Sequence, residues 1–207
     1  MSLYFVLYSF FKPRPDHSGR GLIYDLFKDF AYFVNEAKER REKMLISVPY
    51  NRIEAANYAD RWAYRRNPEY YDFNDLGGDC TNFASQCLFA GSGVMNYPSW
   101  YYYGLNDRSP SWTGVEFLYD FLIKNRGVGP RGEEAGIENV RKGDIVQLSF
   151  SGERFEHTPV IVSVGTAGSP SEILLAAHTF DSNCRPLDSY AFKKVRFIHI
   201  KDVGKDV

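Results

Sequence analysis

The texture of the chain changes at Gly127. Before it, apolar residues recur at helical spacing; after it come short β-rich runs, RKGDIVQLSF, HTPVIVSVG, EILLAAHTF and KVRFIHIK, separated by turn residues. Helices first and strands later predict an α+β fold in which N-terminal helices pack on an antiparallel β-sheet.

The helical half divides at its prolines and glycines. Residues 1 to about 18 read as an irregular or strand-like arm ending in the linker KPRPDHSGRG. In LIYDLFKDFAYFVNEAKERREKML, Leu22, Leu26, Phe30 and Phe33 form an apolar stripe ahead of a charged tail, which predicts an amphipathic helix. A second helix follows Pro49, with Ala55, Tyr58, Ala59, Trp62 and Ala63 on one stripe, Asn51 as its cap and the pre-proline Asn67 as its end. A third is expected from Cys80 to Ala90, stopping at Gly91 and Gly93. A Tyr- and Pro-rich loop then runs from Asn96 to Ser111, and Thr113 with Glu116 reads as the capping box of a further helix that closes at Gly127. The expected organisation is an arm and helix over 1–48 and one domain over 49–207.

The charge balance narrows the partners. Twenty-five basic residues against 26 acidic ones leave a net charge of -1, which offers no general attraction to nucleic acid or anionic membrane. The opening MSLYFVLYSFFK is apolar, but it lacks a basic lead-in and meets Lys12 and Pro13 well short of the ~20 residues that span a bilayer. Neither a signal peptide nor a transmembrane segment is predicted. Aromatic residues reach 16% and cluster in stretches such as SWYYYG, Ser99 to Gly104. Tyrosines of that kind can line a groove for peptide or sugar, although packing explains most aromatic residues.

Three cysteines, Cys80, Cys87 and Cys184, are an odd number without a tight pair, which argues against a disulfide framework. Cys80 is the one placed for chemistry. A thiol attacks as thiolate, and the unpaired N–H groups of a helix N-terminus favour the anion. Cys80 is predicted to open its helix behind Asp79, a candidate N-cap, and behind Gly77 and Gly78, which permit close approach of backbone to substrate. The same N–H groups could hold an oxyanion. Cys87, nearly two turns on, reads as core, and Cys184 lies in a polar loop. The bland alternative for Cys80 is a small core residue at a helix start.

A nucleophile needs a base, and there are four histidines. His17 sits in the linker, and His199 alternates within a strand as a surface or sheet-packing residue. His157 precedes the apolar run PVIVSV and His178 follows ILLAA, so the two flank a hairpin. A turn centred between Ala167 and Gly168 would pair them across the strands, on one face, with Cβ atoms about 4.5–5.5 Å apart. In that geometry His157 is the base and His178 orients it, with Asp181 the substitute orienter. Both could instead be satisfied polar residues at strand ends.

The runs ADRWAYRRNPEYYDFNDLGGDCTNFASQCLFAGSG, RSPSWTGVEFLYDFL, KGDIVQLSF, HTPVIV and AAHTFD resemble the bacterial putative amidase domain family, itself similar to the NlpC-like and CHAP members of the papain-related cysteine peptidases. The resemblance covers about residues 50 to 200 and is densest from Asp79 to Gln86. It implies a papain-like, NlpC-like fold and a cysteine amide-bond hydrolase without cofactor. It casts Cys80 as nucleophile, His157 and His178 as its partners, and Gly143–Asp144 as the opening of the first sheet strand. Asp79 would hold a substrate amine. Thr81, Trp100 and Tyr102 are further expected substrate contacts, and a peptidoglycan-derived peptide is the implied substrate class, with an extracellular or wall-associated setting. Pro159 departs from the related strands and suggests an edge or a bend there. Two other classes stay open. One is a non-catalytic wall-binding module using the loop Trp100 to Tyr103. The other is zinc binding through Cys80, His157, His178 and Cys184, whose spacing lacks the usual paired-ligand pattern.

Overall fold

A computed structural model of the chain describes residues 44–165 and 168–207. The expected arm, linker and Leu22–Phe33 stripe lie outside these residues. The described chain opens with strand β1 (Leu45–Val48), so Leu45 belongs to the sheet and not to the tail of a helix.

Helix α1 spans Arg52–Trp62, and the Asn51 side chain accepts the Glu54 N–H at 3.1 Å as the expected N-cap. Its inward face carries Ala55, Ala56 and Ala59, small residues that let it lie close against α2 (Cys80–Ser92). Helix α2 ends at Gly93, whose φ of 68° is the left-handed conformation that glycine adopts without penalty, and the Gly93 N–H bonds the Phe89 carbonyl at 2.7 Å. Gly91 answers a different need, because a Cβ there would sit 2.3 Å from the Tyr50 ring.

A small hairpin, β2 (Tyr102–Gly104) with β3 (Asp107–Arg108), leads to a short helix α3 (Pro110–Thr113) and then α4 (Val115–Lys124). The expected capping box is not formed. Pro110 starts an earlier turn that takes up Thr113, and Gly114 becomes the N-cap of α4. The Glu116 carboxylate turns outward to accept from the Phe155 N–H and from Arg196.

The β-rich half forms the antiparallel sheet that was expected, with three strands the sequence had not suggested. Strands β4 (Gly129–Ala135), β5 (Ile145–Ser149), β6 (Val160–Ser163), β7 (Leu174–Ala177), β8 (Ser182–Pro186) and β9 (Lys194–Asp206) join β1 in the order β1-β9-β5-β6-β7-β8, and β4 also pairs β9. Every pair is antiparallel. Both faces are covered. Ile145, Val160, Ala176 and Ile198 meet the helices through Phe83, Leu88, Leu118 and Trp112. Val146, Leu148, Ile161, Leu175 and Phe197 form a second core with Leu187 and Tyr190. Neighbouring residues of one strand therefore report to different cores.

The start of β5 is pinned by a fully buried carboxylate. Asp144 accepts from Arg52 Nη1 at 2.5 Å, His199 Nδ1 at 2.9 Å, and the N–H groups of Arg141 and Ile200. His199 is thus a sheet-packing residue that ties β9 to β5.

Candidate active site

Cys80 is the first residue of α2, as the sequence predicts, and is 7% exposed. Asp79 does not cap the helix with its side chain. Its carboxylate is fully buried and is used elsewhere: Oδ1 accepts from the Phe73 N–H at 2.9 Å and from Asn82 Nδ2 at 2.8 Å, while Oδ2 meets His178 Nδ1 at 2.5 Å. Both oxygens are engaged inside the protein, and the buried carboxylate is not presented to a substrate amine. The loop before it turns on Gly77 and Gly78, with φ of 102° and 107°. Gly78 lies against Thr179, and Thr179 Oγ1 accepts the Asp79 N–H at 2.7 Å, so the backbone closes on the protein at Gly78, while Gly77 faces open space.

The Cys80 sulfur is pulled two ways. Burial pushes its thiol up, and the neighbouring Asp79 charge adds to that; the Thr158 backbone N–H, the Thr81 hydroxyl and the Thr81 N–H each favour the thiolate. The net direction is upward. Thr81 is 1% exposed, with its Oγ1 3.1 Å from Thr158 Oγ1 and 3.8 Å from Cys80 Sγ, so it faces the nucleophile and offers nothing to solvent. Cys87 is a core residue, and Cys184 is exposed.

The two histidines are not cross-strand neighbours. Val160 pairs with Ala176 and Ile161 with Leu175, one residue away from the expected register, and the pairing is irregular between Ile161 and Ser163. A slip of one sends the rings to opposite faces. His157 bridges Leu148, and its ring lies 6.1 Å from that of Phe150 and 5.9 Å from that of Tyr190, on the second core's side. His178 stacks on Phe83 at 4.0 Å, on the helical side.

His178 is also fully committed. Nε2 bonds the Trp62 carbonyl at 2.9 Å, and a carbonyl can only accept, so Nε2 carries a proton; the other nitrogen is taken by Asp79. It orients the loop before α2 and not His157. Asp181, the substitute orienter, pairs through both oxygens with Arg66 at 2.9 Å.

His157 makes no side-chain hydrogen bond among the described residues. Burial first and Arg185 second lower its pKa from an ordinary 6.5 to about 4. The consequence for stability has a definite sign. As pH falls below 6.5 the unfolded chain takes up a proton that the folded one resists down to about 4, so stability is complete above that window and is lost through it, by about 3 kcal/mol at most. Urea unfolding between pH 7 and pH 4 should show this loss in the wild type and a flatter dependence in His157→Gln. Equal slopes in the two proteins would overturn it.

The other expected contacts are internal. Trp100 is fully buried, donates Nε1–H to Ser85 Oγ at 3.1 Å and packs on Trp112 and Phe121. Tyr102 is buried, and its hydroxyl accepts the Tyr71 N–H at 2.8 Å. The outward rings are those of the alternate residues: Tyr103 is 68% exposed and, with Tyr97 and Tyr101, forms a cluster whose centroids lie 4.8 to 6.5 Å apart. A groove of about 620 Å³ near α4, lined by Asn96, Pro98, Phe117 and Lys124 among others, includes none of Cys80, His157 and His178. Among the described residues no three His, Cys, Asp or Glu side chains converge as a metal site, so Cys80, His157, His178 and Cys184 do not assemble as the zinc reading required. No helix of the described residues is long and apolar enough to cross a membrane.

Comparison with known proteins adds a family and two relatives. Residues 49–201 match the family described as "Putative amidase domain". The uncharacterized protein YhbB of Bacillus subtilis (strain 168) is 33% identical over 203 residues, which cover 92% of this chain and 60% of that protein. The uncharacterized protein YjcM of the same organism is 25% identical over 122 residues, 55% of this chain and 28% of that protein. The chain therefore spans less than two thirds of either relative's length. No solved structure matches.

Proposed function

Since the chain belongs to the "Putative amidase domain" family, which supports a hydrolase, we propose that it is a cysteine-dependent amide-bond hydrolase acting on cell-wall peptides through an acyl-enzyme. One observation carries the cysteine reading: the Cys80 sulfur sits at the first residue of α2, beside the N–H groups of Thr81 and Thr158. These are the donors that a thiolate and a developing oxyanion both need.

The base is His157. It immediately precedes Thr158, and unlike His178 its ring has no hydrogen-bond partner to give up. Burial keeps it neutral at pH 7, ready to accept a proton. In the reaction His157 takes the thiol proton and the sulfur attacks the substrate carbonyl carbon. First-turn N–H groups hold the oxyanion, and the imidazolium returns the proton to the departing amine. Water, deprotonated by His157, then cleaves the thioester and frees the acid. This reading follows the resemblance to the NlpC-like and CHAP peptidases, in which a cysteine at a helix start works with a histidine that begins a strand of the sheet. Stem or cross-bridge peptides of peptidoglycan are the substrates of that reading.

The test is alkylation. Purified cell-wall peptides are incubated with the protein, new amino groups are counted, and iodoacetamide is added in steps with each labelled thiol mapped. Hydrolysis should fall in step with label on Cys80 and be indifferent to label on Cys184. Full hydrolysis with Cys80 completely alkylated ends the proposal.

The burial of Cys80 favours a second reading, a wall-binding module that presents Tyr97, Tyr101 and Tyr103 to its ligand. That reading stands if Cys80 resists alkylation and Tyr103→Ala weakens sedimentation with intact cell walls.

A further inference from the structure

Thr81 and Thr158 are buried hydroxyls whose contacts run on past the nucleophile. Thr158 Oγ1 lies 3.4 Å from Gln147 Nε2, and Gln147 itself is fully buried on β5. The orientation of its amide is set from outside. Arg196 Nε can only donate, and it reaches Gln147 Oε1 at 2.7 Å. Gln147 Nε2 donates to the Val115 carbonyl at 2.8 Å, which can only accept. Arg196 is in turn fixed by Glu116 Oε2 at 2.8 Å and by the rings of Tyr119 and Phe155, 3.6 and 4.0 Å from its guanidinium carbon.

A direction follows from these partners. The Gln147 amide spends its second proton on Thr158 Oγ1, so the Thr158 proton is free to point onward to Thr81 Oγ1, 3.1 Å away. That occupies the Thr81 oxygen as acceptor and leaves the Thr81 proton for the Cys80 sulfur, 3.8 Å away. We propose that Gln147, oriented by Arg196, is a positioning residue that directs a hydrogen-bond chain through Thr158 and Thr81 onto the Cys80 sulfur. The chain ends in a donor, the polarity that holds a thiolate. This rests on Cys80 being the nucleophile, but the chain can be read without turnover.

Other charges face the sulfur and are common to all the variants below. Asp79 adjoins it on α2, paired with His178 from the end of β7, and Arg66 Nε lies 3.7 Å from the Asp79 carboxylate. His157 flanks Thr158 from the β6 side, and Glu116 sits behind Arg196 at the far end of the chain.

The experiment follows the ¹³Cβ shift of Cys80 against pH, which reports thiol ionisation whether or not a reagent can enter. Thr158→Val keeps the shape and removes the hydroxyl, and its midpoint should rise by about one pH unit, a tenfold smaller thiolate fraction below the midpoint. Thr158→Ser should restore the wild-type midpoint. Gln147→Leu removes the amide donor without adding a charge; nothing then directs the Thr158 proton onto Thr81, and the midpoint should rise as well. This second variant decides the matter should Thr158→Val fail to fold. Midpoints unchanged in the folded variants would overturn the proposal, because a purely structural role moves the unfolding temperature and not the titration. If the midpoint moves as expected but the wild type hydrolyses no peptide, the chain stands and the hydrolase reading falls.

Discussion

Cys80→Ala is expected to lower hydrolysis of cell-wall peptides by about ten-thousand-fold or more, while unfolding in urea at a free energy within about 1.5 kcal/mol of the wild type. The size of the first effect comes from chemistry. Without the sulfur no thioester forms, and what remains is binding plus any oxyanion donors. The small second effect comes from the position, since the lost atom sits at the edge of the helical core and its partners keep others: Thr81 and Thr158 stay bonded to each other. His157→Gln should fall nearly as far, and the double variant no further than Cys80→Ala alone, because base and nucleophile act as one unit. Multiplying losses in the double variant would remove His157 as the base, and wild-type turnover in Cys80→Ala would remove the mechanism altogether.

The parts of this fold that were legible in the sequence are those whose side chains carry the signal. The Gly-Asp loop, the apolar run and the closing glycines place α2 within two residues of its observed end, and β5, β6, β7 and β9 stand where β-rich runs predict strands. Strand β4 was invisible because Gly129–Ala135 has no apolar alternation; it is held to β9 by backbone pairing, which leaves no mark on residue choice. Register failed for a related reason. An irregularity between Ile161 and Ser163 shifts the pairing by one, and counting residues across a loop cannot detect an extra one within a strand. That single step separates His157 from His178. The loop at Trp100 to Tyr103 does alternate with period two, but the sequence does not say which alternate set is inside; the buried set is Trp100 and Tyr102. Thr158 could have been noticed as the neighbour of His157. Gln147 could not, since one glutamine in an apolar strand has no pattern that points to a sulfur reached only through Thr158 and Thr81.

Asp79→Ala is expected to cost about 3–5 kcal/mol of stability, the largest effect of any change at this site. The carboxylate is fully buried and holds three partners at once: it accepts from the Phe73 N–H and the Asn82 amide and is hydrogen-bonded to His178 Nδ1. Alanine satisfies none of them: the Phe73 N–H and His178 Nδ1 lose their partner, and Asn82 Nδ2 keeps only the Tyr71 carbonyl. His178 cannot turn to another partner, because Nε2 is held by the Trp62 carbonyl and its ring is stacked on Phe83. Asp79→Asn should cost much less. Its amide oxygen can keep the Phe73 and Asn82 bonds, and its NH₂ can donate to a deprotonated Nδ1 while Nε2–H stays on Trp62. Equilibrium urea unfolding of the two variants separates this role from the one the sequence suggested. A carboxylate that held a substrate amine would make Asp79→Asn bind substrate poorly and unfold normally. The buried network requires graded loss of stability in the order Asn, then Ala, and it fails if both variants unfold like the wild type.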